Sequence, residues 1–172
     1  MTGGSYSLSL SVNANGELLP TGSLGTGKVS ISVGTPDQGL SYGTSSGQAD
    51  IFVMRAITIN ATTASTIDLY TGTDWLDVFK DTAAFRKIKS IAIWVNSGGD
   101  ATGVAIGNAA SDAWVANFAD SSDKALIYPS GPPWCAGSPA GITVDATHKN
   151  LKIENLGAAA VTIYVAIAGT SA

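Results

Sequence analysis

The sequence predicts an all-β protein: an antiparallel β-sandwich, jelly-roll-like, with about eight to ten short strands. Three observations carry this reading. Apolar and polar residues alternate with period two along most of the 172 residues, which is the pattern of half-buried strands. Clusters of Gly, Ser, Asn and Pro separate these runs at short intervals, as strand-joining turns do. Hydrophobic residues make up 45% and charged residues only 13%, so the chain has a core to bury and few ions for its surface. One segment, Asp74 to Ala84, departs most toward a helical pattern.

Along the chain, Tyr6, Leu8, Leu10 and Val12 alternate with serines, and Asn13-Ala14-Asn15-Gly16 then reads as a turn. Val29, Ile31 and Val33 form a second alternating run, closed by Gly34-Thr35-Pro36-Asp37. From Gly39 to Gly47 the chain is rich in Gly and Ser and reads as a loop or loose edge. In Ala49 to Asn60, Ile51, Val53, Ile57 and Ile59 share one face, and Phe52, Met54, Ala56 and Thr58 the other. Arg55 interrupts the first face, which suggests a bulge or strand end. Thr62 to Tyr70 is a Thr-rich strand. Asp74 to Ala84 is the best helical candidate, a short helix or structured loop capped by Asp74.

Ile88 to Val95 is a strong strand, with Trp94 and Ala92 opposite Ile91, Ile93 and Val95. Thr102 to Ile106 and Lys124 to Tyr128 are short strands. Between them, Ala109 to Phe118 reads as a helical turn or irregular crossing. The stretch Pro129 to Pro139, with its internal prolines and glycines, reads as non-regular. Ile142 to Ala146, Leu151 to Asn155 and the clearly alternating Val161 to Ile167 complete the set. The organisation is a single domain: a Gly/Ser-rich segment over 1–48, arm plus first strands, and a sandwich core over 49–172.

Composition narrows the function classes. The net charge is −4, which disfavours a nucleic-acid partner, since phosphate binding relies on a basic face. No apolar run approaches the roughly 18–20 residues of a membrane helix, so no membrane partner is expected. Met1 to Ser5 lacks the basic start and apolar core of a secretory signal, so synthesis in a cytoplasm is expected. One cysteine and one histidine leave no disulfide framework and no two-imidazole metal site.

The chemistry-bearing residues are few. His148, in Thr147-His148-Lys149, reads as an exposed turn histidine rather than a catalytic base, and no Gly-x-Ser-x-Gly elbow occurs. Cys135 reads as a small packed residue, with no cation nearby to activate it. Asp74 with Asp77, and Asp120 with Asp123, are explained by local capping more simply than by paired carboxylates or calcium. Gly22, Gly27 and Lys28 imitate part of a phosphate loop, but Val29 replaces the hydroxyl residue and a β pattern follows where a helix is needed. No cofactor is implied, and the expected activity is non-enzymatic. Trp75, Trp114 and Trp134 lie in loop-like segments, where aromatics often anchor interfaces. Arg86, Lys87 and Lys89 form the only basic cluster, suited to an acidic partner surface. These six residues are the candidate interface.

An ordered series of segments resembles a group of small virion proteins of tailed bacteriophages. It runs through Lys87-Ile88-Lys89-Ser90-Ile91-Ala92-Ile93-Trp94-Val95-Asn96, then Gly103 to Trp114, then Asp120 to Gly131 and a Pro-Gly loop. Gly141 to Asp145, Leu151 to Asn155 and Val161 to Ser171 complete it. The series covers roughly residues 49–171, and the first 48 residues have no counterpart. The resemblance implies a jelly-roll decoration, or cement, protein on the capsid exterior, without catalytic residues. Its implied partners are the major capsid protein and copies of itself, with a homotrimer expected. A carbohydrate-binding or host-adhesion sandwich on a tail or fibre is the alternative, and it requires at least two exposed, coplanar tryptophans.

Overall fold

Alternation at this density produces an all-β molecule. The computed structural model describes residues 12–18, 27–33, 40–73, 75–77, 82–98, 102–115 and 118–172, and no helix occurs among them. The strands are β1 (Val12–Leu18), β2 (Gly27–Val33), β3 (Ser41–Tyr42), β4 (Gln48–Ala49), β5 (Ile51–Ile59), β6 (Ala64–Asp68), β7 (Lys87–Gly98), β8 (Val104–Gly107), β9 (Lys124–Ile127), β10 (Trp134–Thr143), β11 (Asn150–Asn155) and β12 (Val161–Thr170). Two antiparallel sheets of four make the sandwich, one in the order β10-β7-β12-β5 and the other β6-β11-β8-β9.

The pairings nest. β5 pairs with β12, β6 with β11, β7 with β10 and β8 with β9, all antiparallel. Successive pairs alternate between the two sheets. The chain from β5 to β12 is thus one long hairpin rolled up, and β12–β7 and β11–β8 pairs close each sheet. That winding is a jelly roll.

The core forms where the inner faces meet. Ile51, Val53 and Ile59 of β5 oppose Ile91 and Ile93 of β7 and Val161, Ile163, Val165 and Ile167 of β12 through one sheet. Ile67, Val104, Ile106, Ile127, Leu151 and Ile153 supply the other. Trp75 and Phe85, on the connection before β7, and Trp114, between β8 and β9, join the same core. Every inward position of β12 is at most 1% exposed, which fits a central strand with partners on both edges.

Several expectations are corrected. Asn13 to Gly16 is not a turn: it lies inside β1, paired residue for residue with Val29–Ser32, so the reversal falls after Leu18. Tyr6 to Ser11 lies outside the described residues. Arg55 causes no bulge, because β5 keeps one register with β12 from Ile51 to Ile59. β5 is an edge strand, where a charge on the inward side reaches the rim and discourages further pairing. The Pro129–Pro139 stretch is regular from Trp134 onward. Pro132 and Pro133 precede the strand, and Pro139 sits where the register slips between Gly137 and Ile142, on an edge strand where a missing N–H costs no ladder bond.

Around the helical candidate, Leu76 and Thr82 form an isolated antiparallel bridge, so residues 75–77 and 82–84 are structured loop, while 74 and 78–81 lie outside the described residues. Ala109 to Val115 is an irregular crossing tied by an Ala113–Asn150 bridge. The Gly39–Gly47 stretch is partly ordered too. β3 pairs with β4 in parallel, and Leu40 packs with Ala49, Ala168 and Phe52 against the outer side of the first sheet.

Candidate functional site

The fold assigns most of the chemistry-bearing side chains to internal work. Lys89 is the clearest case. It is 2% exposed, and its ammonium donates to the carbonyl oxygens of Ser45 at 3.2 Å, Pro139 at 3.0 Å and Ala140 at 3.0 Å. Three donors meet three acceptors, so the burial leaves no polar group unmatched. Desolvation, with Lys87 nearby, pushes its pKa below the ordinary lysine value. Gly141, at a φ of +88°, shapes the same slip in β10, whose Pro139 and Ala140 carbonyls receive the ammonium. Lys89 therefore latches the 40s segment and β10 onto β7.

The other proposed interface residues separate in the same way. Arg86 is half-buried, donates to the Tyr70 and Phe85 carbonyls, and lies 4.0 Å over the Tyr70 ring. Lys87, at the start of β7, is exposed. Trp114 is 2% exposed and its indole N–H donates to the Thr143 carbonyl at 3.1 Å. Trp75 is 7% exposed in the core. Trp134 is half-buried and stacked on Phe118, with ring centroids 5.9 Å apart and planes 1° apart. The six residues do not converge on one exposed patch. Trp75 and Trp114 belong to the buried core instead.

His148 is an exposed turn residue, as read. Asp145 Oδ1 accepts the backbone N–H groups of Thr147 and His148, the Thr147 hydroxyl, and lies 3.1 Å from His148 Nδ1. The Thr147 and His148 hydrogen bonds hold the Asp145 carboxyl down to about 2. Asp120 likewise accepts from Ser122 N–H and Oγ within its own turn, and Asp123 accepts from the Asp120 N–H. Asp74 lies outside the described residues. Among the described residues, no group of three or more His, Cys, Asp or Glu is placed to hold a metal. Cys135 corrects the expectation of a packed thiol. Trp134 packs on the core, so the next residue of β10 faces out, and Cys135 is exposed. Its partial desolvation pushes the thiol up, the reverse of activation.

Two surfaces remain that individual motifs did not signal. One is the outer face of the β10-β7-β12-β5 sheet. Phe52, Met54, Ala92, Trp94, Tyr164 and Ala166 lie on it, with Met54 54% exposed and Trp94 tilted 35° against Tyr164 at 5.4 Å. Its signal was present: Phe52, Met54 and Ala56 of β5 and Tyr164, Ala166 and Ala168 of β12 lie at non-core positions of their runs. The other is the rim where edge strands β5 and β6 approach. A cleft of ≈ 440 Å³ there is lined by Arg55, Thr58, Ser65, Thr66 and Trp75. No side-chain period announces it, because it arises from two edge strands that lie in different sheets and do not pair. Comparison with known proteins finds no matching family model, no matching curated protein and no matching solved structure.

Proposed function

We propose that this chain is a non-enzymatic structural protein of a bacteriophage particle: a decoration, or cement, protein that binds the outside of the capsid. It stabilises the shell through many weak subunit contacts, partnered by the major capsid protein and by copies of itself, as a homotrimer. The carrying observation is the ordered series of segments over residues 49–171 that resembles small virion proteins. Support comes from the site geometry. Lys89, Arg86, Asp145 and Asp120 all serve hydrogen bonding within the chain, which suits a building block.

The glycan-binding alternative draws on the β5–β6 cleft, whose hydroxyls and guanidinium suit sugar hydroxyl groups. Its stacking requirement is poorly served. Trp75 and Trp114 are buried, Trp134 is stacked internally, and only Trp94 lies on the outer face. The deciding experiment mixes the purified protein with capsids lacking it and sediments them. Saturable co-sedimentation at a fixed copy number per shell is expected. No co-sedimentation, together with binding on a glycan array, would replace this reading with the adhesion one.

A further inference from the structure

The fold leaves two strand edges facing one cleft. β5 ends its sheet and pairs with β12, and β6 ends the other sheet and pairs with β11. The cleft between them is lined by residues 55–58 of β5 and 65–67 of β6. Consecutive residues of a strand point to opposite faces, so what a run of neighbours presents in common is the strand's edge. The cleft therefore opens onto the second edge of β5, where no strand pairs among the described residues. Such an edge carries a row of backbone N–H and C=O groups, a template for a further strand.

The side chains around the edge select what can be added. A second cleft of ≈ 350 Å³ meets the first at Arg55 and Trp75 and ends on Met54, Thr73 and Leu76. In both clefts Arg55 is the one charged residue among the described lining residues, and it is exposed. A strand laid against β5 places one side chain opposite Arg55, on the cleft side. The residues before and after it then lie beside Met54 and Ala56, on the outer face, where Ala166 and Tyr164 are the next neighbours. Opposite charges directly across a strand pair are favourable, and like charges are not. A guanidinium carries five N–H donors, so Arg55 can take a partner's carboxylate alongside bonds within its own chain.

We propose that the β5 edge is a docking site for an extended acidic peptide segment of another protein, which adds to the β10-β7-β12-β5 sheet as a further strand. Its carboxylate pairs with Arg55, and apolar residues on either side of that carboxylate continue the outer face past Met54 and Ala56. The backbone ladder supplies affinity, and Arg55 supplies selection. The same charge keeps uncharged and basic strands off the edge, so the protection noted above and the docking have one cause. The cleft suits a strand better than a glycan, because Trp75, its one aromatic ring among the described residues, is 7% exposed and offers little face for stacking. The inference does not depend on capsid binding and is tested with the chain and peptides alone.

The test is fluorescence anisotropy of the labelled, end-blocked peptide Ser-Thr-Val-Glu-Val-Thr-Ser, titrated with the full chain. Saturable binding is expected. Glutamine in place of the peptide's glutamate, or Arg55→Gln in the protein, should weaken it by about tenfold or more. Arg55 is exposed, so the substitution should leave the sandwich folded, which an unchanged urea midpoint verifies. Arg55→Glu should prefer the peptide with lysine in place of glutamate, a reversal that damage to the fold does not produce. N-methylation reads the ladder. Methyl groups on the glutamate amide and on the two valine amides block opposite edges of the peptide, so one should abolish binding and the other be tolerated. No saturable binding, binding indifferent to Arg55, a failed charge reversal, or an equal response to both methylations overturns the proposal. Capture of acidic oligosaccharides without peptide binding overturns it too, and assigns the cleft to glycans.

Discussion

At the scale of single residues, the informative side chains are polar groups that the fold surrounds. Lys89 could not be told from a surface lysine in the sequence, where it sits beside Arg86 and Lys87 as one basic cluster. What distinguishes it is the slip in β10 that turns the Pro139 and Ala140 carbonyls toward it. Lys89→Met keeps much of the volume but leaves three carbonyls without their donor. It should lower stability by about 1–3 kcal/mol, read from urea unfolding midpoints. The same change at exposed Lys87 should have little effect. Asp145 supplies a pH-dependent counterpart. Its folded carboxyl is held down to about 2 by the Thr147 and His148 hydrogen bonds, against about 3.9 in an unfolded chain. A depressed carboxylate contributes fully above the unfolded value and is lost as pH falls through the folded one. The stability gap between wild type and Asp145→Asn should therefore be constant above about pH 5 and shrink from there toward pH 2.

At the scale of elements, the two sheets are stapled by one amide. Asn155 closes β11 in one sheet and is 1% exposed. Its Nδ2 donates to the carbonyls of Ile59 and Asn60 at the end of β5 in the other sheet, and to Ala159, while its Oδ1 accepts from Gly157. Asn155→Ala leaves these groups buried without partners and should cost about 2 kcal/mol in chemical unfolding. Asn155→Asp should cost more, because a carboxylate would face three carbonyl oxygens with no hydrogen to donate. A ranking with Asp better tolerated than Ala would contradict this account. The strands themselves were largely legible, since period-two alternation marks β5, β7, β11 and β12 directly. What stayed hidden depended on partners rather than on local pattern. Asn13–Gly16 carries turn residues, yet pairing with β2 makes it strand. Pro139 reads as a breaker, yet an edge position tolerates it. Trp75 and Trp114 read as surface anchors because nothing in their own segments shows that they pack into the core.

At the scale of the whole molecule, the nested β5–β12 to β8–β9 winding explains how so few charges suffice. The roll hides its apolar residues between two sheets and leaves short or interrupted edges: β9 has four residues, β6 five, and β10 carries Pro139 and a register slip. Among the four edge strands of the roll, β5 offers the one long continuous edge, and Arg55 stands at its centre. In the reading proposed above, copies associate with one another and with a shell. Each contact of such a subunit with a shell can be weak, because joining two or three sites raises overall binding by about 10²–10⁴ without any new contact. The consequence is measurable on particles. Shells carrying the protein should release their contents at a higher temperature than shells stripped of it, and adding purified protein back should restore the difference. Protection should rise steeply near full occupancy, since a shell fails at its least reinforced point. Equal heat resistance of decorated and stripped particles would remove the stabilising role, even where binding itself is retained.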